Sequence, residues 1–373
     1  MQDSGELARL VSVRRHCSHT PSTDHRKVMP ERPMRPRSVT TVGNVSEAQR
    51  NATRLLLNST TAAGRAAVAA MARAHADDRR LVMPLFANSG FVPFLRNLLC
   101  SVERLGVTNW FAVGLDNRTC STLGAHGEGR CVHPYERPSM SGERLTYGSA
   151  AFFQIALQRP LWVRFLLGRG FEVLNCDTDI VWLANPLPLL AGLRGVLLVQ
   201  TDSGQGKNSG FYLARPSPTT EEFFAEWILK VSQGKNEQHA LNSVAKHIRI
   251  YSRDLNASLF PNGRFWWTFG RGDKRTAFIV HCNWVRDGKK TRLVRDNLWF
   301  LEPDGQRCAA GFDPFAGGCD RNCIPAQYCH PSGPCSWYTN CANLAHWHPM
   351  ARAAANCSTA EAARLERIRR VNG

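Results

Sequence analysis

Two aspartates separated by one residue follow a short apolar segment in the middle of the chain. Residues 171–176 (FEVLNC) come after the helix-breaking glycines Gly168 and Gly170, and they have the length and apolar content of a buried strand. Asp177 and Asp179 come directly after this strand, and side chains at i and i+2 of an extended segment project to the same side. Open α/β sheets bind ligands at the carboxyl ends of their strands. The pair therefore predicts an α/β fold with a ligand site at this strand end.

The rest of the chain alternates between strand and helix patterns. Apolar runs predict strands at 81–86, 110–115, 196–200 and 211–214. Alanine content predicts a helix at 62–76, three- and four-residue apolar spacing predicts one at 91–105, a helical stretch is expected at 149–167, and threonine and acidic residues at its start predict one at 219–231. A strand-helix-strand order is typical of a mostly parallel, Rossmann-like sheet flanked by helices. Both periodicities disappear after Cys308. We expect a flexible basic stem at 1–61, an α/β domain at 62–303 and a cysteine-rich, disulfide-stapled tail at 304–373.

The positive charge does not have the distribution of a nucleic-acid-binding surface. The formal net charge is +17, and residues 1–80 hold fourteen Lys/Arg against seven Asp/Glu in a stretch rich in Pro, Ser and Thr. The remaining charge is spread thinly, without a basic helix or interleaved basic and aromatic residues. We therefore expect no nucleic acid as a partner. An anionic donor or an acidic polysaccharide acceptor is a sufficient partner for this charge.

Cysteines and glycosylation sequons indicate an oxidising compartment. Seven of the thirteen cysteines lie between 308 and 357, and six Asn-x-Ser/Thr acceptors occur, at Asn44, Asn51, Asn58, Asn117, Asn256 and Asn356. Disulfides are favoured over a zinc cluster, because the cysteine spacings match no usual zinc finger. We expect the lumen of the ER or Golgi, in the secretory pathway. Residues 1–20 have no apolar signal core and no stretch approaches the ~18 residues of a membrane span, so membrane anchoring would require a segment absent from this sequence.

Paired carboxylates at a strand end suit a hard divalent cation. Mg²⁺ and Mn²⁺ prefer oxygen ligands and keep open positions that substrate phosphates can fill. A simple turn is the alternative for so short a motif. Asp177-x-Asp179 after an apolar strand also fits the first motif of haloacid-dehalogenase-like phosphatases, in which the first aspartate is a nucleophile. That motif belongs on the first strand of its domain, whereas two strands precede it here, and no convincing later acidic pair follows.

Several sequence blocks follow one another in order between residues 81 and 300. They are residues 106–110 (GVTNW), 170–186 (GFEVLNCDTDIVWLANP), 208–211 (NSGF), Glu237-Gln238 with Asn242, and 281–284 (HCNW) with Gly288 and Lys289-Lys290. Together these blocks resemble glycosyltransferase family 77, the plant and algal wall-glycan glycosyltransferases. The resemblance implies a GT-A fold, a nucleotide-diphospho-sugar transferase domain at 62–303, and a UDP-sugar as donor. It also implies Mn²⁺ (or Mg²⁺), retention of anomeric configuration, and transfer of a pentose or hexose to a polysaccharide or glycoprotein acceptor.

The same resemblance implies roles for individual residues. Asp177, Asp179 and His281 correspond to metal ligands, and Asp177, Asp179, Glu237 and Gln238 to the catalytic group. Donor binding is implied for Asp116, Arg159, Asn208, Ser209, Gly210, Lys289 and Lys290, with either lysine able to hold the β-phosphate. The sequence departs from the family at two of these positions, because the family usually has aspartate at Glu237 and lysine at Arg159.

Each of these assignments has a structural alternative. His281 is also consistent with a buried histidine satisfied by a backbone carbonyl, Asp116 with a helix or turn cap, 208–210 with a turn, and the two lysines with a solvated basic turn. For the whole chain, the alternatives are the phosphatase and a catalytically silent glycan-binding protein.

Overall fold

The structure is a computed structural model, and it describes residues 46–315 except 136–141, 144, 146–147, 203–205 and 286–287. The described residues include nine α-helices. These are α1 (Glu47–Ser59), α2 (Ala62–His75), α3 (Val92–Glu103), α4 (Thr119–Leu123), α5 (Ala150–Leu167), α6 (Leu187–Gly192), α7 (Pro218–Ser232), α8 (Glu237–His247) and α9 (Lys289–Arg295). Helices α5, α7 and α8 begin after Ser149, Ser217 and Asn236, whose side chains accept hydrogen bonds from backbone N–H groups of the first turn.

Nine strands accompany these helices in the described part of the chain. They are β1 (Leu81–Ala87), β2 (Trp110–Gly114), β3 (Cys131–Val132), β4 (Glu172–Cys176), β5 (Ile180–Trp182), β6 (Leu197–Thr201), β7 (Lys207–Ala214), β8 (Ser252–Leu255) and β9 (Ile279–His281). Seven of them form one sheet in the order β3-β2-β1-β4-β7-β6-β8, and β5 pairs with β9 in a second, antiparallel sheet.

The large sheet is parallel apart from one strand. β7 runs antiparallel to both of its neighbours, β4 and β6, while the other pairs are parallel. β1, β2, β4 and β6 therefore all end at the same edge of the sheet. The expected α/β class, a mostly parallel sheet flanked by helices, is confirmed. The antiparallel direction of β7 was not predicted.

Alternating side chains of the strands pack against helices on the two faces of the sheet. On one face, residues such as Val82 and Val173 join a core with buried residues of α1, α2, α5, α7 and α8. On the other face, residues such as Met83 and Leu174 pack with the apolar side of α3. Burial of both faces explains why these strands read as continuous apolar runs in the sequence.

Helix α1 lies inside the range expected to be a flexible stem. Ala48, Ala52 and Leu56 recur at four-residue spacing, and all three are buried in the core that also contains residues of α7. The folded unit therefore begins before residue 61, because this short apolar stripe has a partner surface. The remainder of the expected stem, 1–45, lies outside the described residues.

Among the cysteines that the structure describes, two disulfides form, Cys100–Cys308 and Cys120–Cys131. The first joins α3 to the beginning of the expected cysteine-rich tail, of which only 304–315 are described. The tail's other cysteines lie outside the described residues. Within the described part of the chain, none of the helices has the length and apolar character needed to cross a membrane.

Candidate active site

Asp177, Asp179 and His281 converge at the carboxyl end of β4. The pairing of β5 with β9 sets Ile180 opposite His281 and so brings the late histidine to the aspartates. His281 Nε2 lies 3.3 Å from Asp179 Oδ1 and 3.8 Å from Asp177 Oδ2. One potential ligand atom from each of the three residues lies within 4.8 Å of the other two. The structure thus brings together the three residues that the sequence predicted as metal ligands.

A buried glutamine fixes the tautomer of His281. Gln200, the fourth residue of β6, donates from Nε2 to the Phe260 carbonyl at 3.0 Å, so its other amide atom, Oε1, is an acceptor. Oε1 lies 2.7 Å from His281 Nδ1, which must therefore carry the proton and donate it. The lone pair of the neutral ring is then on Nε2, which faces the two aspartates. This arrangement is the usual outer-shell support of a metal-binding histidine.

The donor set fits a divalent cation. Two carboxylates and an imidazole lone pair turned toward one point repel each other unless a positive charge lies between them. Carboxylate oxygens suit both Mn²⁺ and Mg²⁺, and an imidazole nitrogen is acceptable to Mn²⁺. Gly210 leaves room for this grouping, since a Cβ at that position would lie 2.5 Å from both Asp177 Oδ2 and His281 Cε1.

A second group of potential ligands, Cys100, His126 and Cys308, does not form a metal site. Its two cysteines are joined in a disulfide, which leaves them without thiolates.

Lys289, and not Lys290, faces the aspartates. Lys289 begins α9, and its Nζ lies 2.5 Å from Asp179 Oδ2. Burial opposes ionisation of Asp179, but the Lys289 ammonium outweighs burial and holds the pKa of the Asp179 carboxyl well below its usual range. Lys290 instead lies 5.1 Å from the centre of the Trp299 ring. The sequence left the choice between the two lysines open, and only Lys289 is within reach of this site.

Arg159 joins Asp177 to Glu237. Arg159 lies on α5, and Glu237 is the first residue of α8. The Arg159 guanidinium forms one ion pair with Asp177 Oδ1 and another with Glu237 Oε2. Burial raises the pKa of Glu237 to about 7 against the opposing effect of Arg159. Glu237 Oε1 is buried and has no hydrogen-bond partner among the described residues. The two positions at which this chain departs from the family pattern, Arg159 and Glu237, therefore contact each other.

Polar groups at the start of β7 connect this ion pair to a further aspartate. Ser209 Oγ lies 3.4 Å from Glu237 Oε2, and the Ser209 N–H donates to Gln238 Oε1. Gln238 Nε2 donates to Asp202 Oδ2 at 2.9 Å, and Asn208 Nδ2 donates to Asp202 Oδ1 at 3.4 Å. The structure thus brings Asn208, Ser209 and Gln238 together around Asp202.

Sequence reasoning missed Gln200 and Asp202. Both lie at the end of an apolar strand, as Asp116 and Asp177 do, and this position at a strand end is the signal that pointed to those two.

Asp116 lies at the end of β2 and acts as a loop cap. Its Oδ2 accepts from the Ser89 N–H at 2.5 Å, and its Oδ1 accepts from the N–H groups of Arg118 and Thr119. Burial opposes ionisation, but these hydrogen bonds hold the pKa of Asp116 below its usual value. Asp116 therefore has the role of a turn cap, which is its structural alternative. A contact with uridine or ribose stays a prediction.

Relatives of known name are mostly plant glycosyltransferases. The beta-arabinofuranosyltransferase RAY1 of Arabidopsis thaliana is 27% identical over 62% of this chain and 50% of its own length. The UDP-D-xylose:L-fucose alpha-1,3-D-xylosyltransferase MGP4 of the same plant is 25% identical over 59% of this chain and 70% of its own. The chain spans half of RAY1 and 42% of the arabinosyltransferase XEG113. Among solved structures, the glycosyltransferase GlyE of Streptococcus pneumoniae TIGR4 aligns over 54% of this chain and 53% of its own, with 14% identity and a TM-score of 0.38.

The sequence model of one family covers residues 105–294, about half of the chain. That span contains each residue predicted for the site, from Asp116 to Lys290. The match confirms the resemblance drawn from the sequence motifs, and the mostly parallel sheet with flanking helices is the GT-A architecture that the resemblance implied. The chain belongs to the nucleotide-diphospho-sugar transferase family.

Proposed function

We propose that the protein is a metal-dependent glycosyltransferase that takes a pentose or hexose from a UDP-sugar. The observation that carries this proposal is the convergence of Asp177, Asp179 and the His281 Nε2 lone pair beside the Lys289 ammonium. A carboxylate-bound divalent cation and a nearby lysine ammonium are both groups that bind the phosphates of a nucleoside diphosphate. Family membership supports the same chemistry and favours it over the phosphatase alternative.

Different residues of the site would bind different parts of the donor. Asp177, Asp179 and His281 would hold Mn²⁺ or Mg²⁺, which supplies charge neutralisation to the departing diphosphate when bound. Lys289 would donate to the β-phosphate, because its ammonium is held next to the metal ligands and keeps its charge. In this proposal Asn208, Ser209 and Gly210 line the sugar pocket, and Asp116 orders the loop at the nucleoside end.

Glu237 is placed to position other groups and has little access to a substrate. The residue is only 3% exposed, and its Oε2 is committed to Arg159. Through Arg159 it holds Asp177, whose Oδ1 contacts the same guanidinium. This burial supports retention without a covalent intermediate on Glu237, in which the acceptor enters on the face that the diphosphate leaves. Gln238, anchored to Asp202, would then face the transferred sugar.

The compartment and the acceptor are proposed from several smaller observations. The disulfides Cys100–Cys308 and Cys120–Cys131 favour the oxidising lumen of the ER or Golgi. The sequon asparagines Asn58, Asn117 and Asn256 are exposed, as acceptors of glycans must be. The relatives are named as arabinosyl-, xylosyl- and galactosyltransferases. We infer that the acceptor is a cell-wall polysaccharide or a glycoprotein.

The proposal is tested by release of UDP. The protein, first treated with a chelator, is incubated with each of a panel of UDP-pentoses and UDP-hexoses. We expect release of UDP from at least one donor after addition of Mn²⁺ or Mg²⁺, and a return to background when chelator is added again. The anomeric configuration of the product, read by NMR, is expected to match that of the donor.

Two outcomes would contradict the proposal. Glycan binding without release of UDP from any donor would support a silent glycan-binding protein. Release of inorganic phosphate, with a phosphoenzyme formed on Asp177, would support the phosphatase alternative.

Replacement of Lys289 tests its assignment to the diphosphate. We expect Lys289→Ala to lower kcat/KM for the donor by roughly 10- to 100-fold, the size of losing one charge-assisted contact to a phosphate. Lys246→Ala, which removes an exposed lysine of α8, is the matched control and is expected to leave UDP release unchanged. Equal kinetics in the two variants would remove Lys289 from the donor site.

A further inference from the structure

Two exposed aromatic side chains stack on one arginine beside the candidate active site. The described residues include five exposed large hydrophobic side chains, and two of them, Phe269 and Trp284, are 51% and 53% exposed. The Arg264 guanidinium lies 5.1 Å from the centre of the Phe269 ring and 5.3 Å from that of Trp284. The Arg271 guanidinium lies 5.6 Å from the centre of the same Phe269 ring. We call Arg264, Phe269, Arg271 and Trp284 the aromatic-arginine platform.

The platform is held in place by the residues of the candidate site. Trp284 Nε1 donates to Asp202 Oδ1 at 2.8 Å, and the other oxygen of Asp202 accepts from Gln238. Trp284 follows His281 by three residues, and its φ of 60° is rare for a bulky side chain. Backbone strain of this kind persists where the surroundings enforce it, and it is concentrated at functional sites.

The arginine side of the platform also has a rigid base. Arg264 begins a π-helical turn, Arg264–Thr268, and such turns are frequent at functional sites. Trp266 and Trp267 within this turn both donate their indole N–H to Asp296 Oδ2. Gly263, just before the turn, donates to Asn283 Oδ1 at 2.6 Å, which fixes the turn against the residue preceding Trp284.

The position of the platform relative to the sheet separates it from the nucleoside end of the donor. Asp116 follows β2 and Asp202 follows β6, on opposite sides of β4 in the strand order. With the diphosphate at Asp177 and Asp179 and the nucleoside toward β1 and β2, the platform lies on the side to which the transferred sugar and the acceptor extend. This placement rests on the proposed function.

The charge of the platform selects among acceptors. Residues 264–275 contain Arg264, Arg271, Lys274 and Arg275 against a single acidic residue, Asp273. Among the described residues, neither Arg264 nor Arg271 forms an ion pair with a carboxylate, so both guanidinium groups are available to an anion. The exposed rings offer flat apolar faces to sugar rings. We propose that the aromatic-arginine platform binds the acceptor, and that this acceptor is an acidic glycan whose carboxylates pair with Arg264 and Arg271.

Calorimetric binding of an oligosaccharide of hexuronic acids, compared with its methyl-esterified form, tests this proposal without any need for activity. We expect the unchanged protein to bind the acidic form at least about tenfold more tightly, the effect of one charge-assisted hydrogen bond. Arg264→Gln should remove that preference. Trp284→Ala should weaken binding of both forms by about tenfold. Tyr251→Ala removes an aromatic side chain that is 62% exposed, and it is expected to change neither.

The outcomes distinguish failure of the platform from failure of the proposed function. Equal binding of the two forms, or no effect of Trp284→Ala in a variant with unchanged Tm, would overturn the platform proposal even if UDP is released normally. Preference for the acidic form without UDP release from any donor would leave the platform proposal standing and overturn the transferase proposal. If Arg264→Gln lowers the stability of the protein, Arg264→Lys provides the second test. Arg264→Lys keeps the charge, and it is expected to retain part of the preference for the acidic form.

Discussion

Asp179→Asn is expected to lower Mn²⁺-dependent release of UDP by at least about 100-fold, the scale of losing a group that stabilises charge in the transition state. Asp179 is one of the three proposed metal ligands and also the partner of Lys289, so its carboxylate serves the cation and the lysine together. Asp177→Asn should have a similar effect, since Asp177 faces the same histidine nitrogen. Metal affinity, measured by Mn²⁺ titration, should fall together with activity in both variants.

A matched control separates loss of a ligand from loss of charge. Asp78→Asn removes one negative charge from an exposed position between α2 and β1, and it should leave both activity and Mn²⁺ affinity unchanged. Asp179→Asn leaves Lys289 without its carboxylate, which also lowers stability. The double variant Asp179→Asn with Lys289→Met should recover that stability without recovering activity. Normal turnover in both Asp177→Asn and Asp179→Asn would refute the metal site.

Gly210→Ala is expected to be nearly as damaging, although it removes no polar group. The added Cβ would lie 2.5 Å from Asp177 Oδ2 and from His281 Cε1, closer than such atoms approach in proteins. Asp177 or His281 must then move away from the shared point. We expect Mn²⁺ affinity and UDP release each to fall by about 100-fold, because a displaced ligand is equivalent to a lost one.

Gly192→Ala is the control for this substitution. Gly192 ends α6, and a Cβ there would meet nothing within 4 Å. Thermal unfolding of both variants shows whether the structure outside the site is intact. Full activity and Mn²⁺ affinity in Gly210→Ala would mean that the ligands do not converge in the working enzyme.

The strands that build the sheet could be read from the sequence because they are buried on both faces. Apolar runs at 81–86, 110–115 and 171–176 correspond to β1, β2 and β4 within one or two residues. The direction of β7 could not be read in the same way. An apolar run of four residues has no direction, and the antiparallel pairing with β4 and β6 depends on contacts distant in the sequence.

Helix α1 shows why the stem boundary was placed too late. Its mean composition is polar, and only three of its residues are buried. Such a helix depends on its contact with a partner surface, which residues 47–59 alone do not reveal.

The candidate site was predictable where the chemistry is local. Asp177 and Asp179 come from one strand end, and the family resemblance supplied His281, Glu237 and Lys289. Gln200 contacts His281, 81 residues away in the sequence, and Trp284 contacts Asp202, 82 residues away. No local sequence pattern indicates such a pairing. The same limit applied to the lysines, because the choice between Lys289 and Lys290 depends on which face of α9 meets Asp179.

The disulfide between Cys100 and Cys308 encloses a loop of 208 residues, and every residue assigned to the site lies inside it, from Asp116 to Lys289. Residues 100–308 therefore form a covalently closed loop, and β1, which pairs with β2 and β4 inside that loop, lies outside it in the sequence. In the chain-entropy view, closing a loop of this size raises the free energy of the unfolded state by about 5 kcal/mol. A copy made under reducing conditions would lack this closed loop, and α3 would be joined to the residues before Cys308 by noncovalent contacts alone, such as the hydrogen bonds of Asn97 with Leu298 and Phe300.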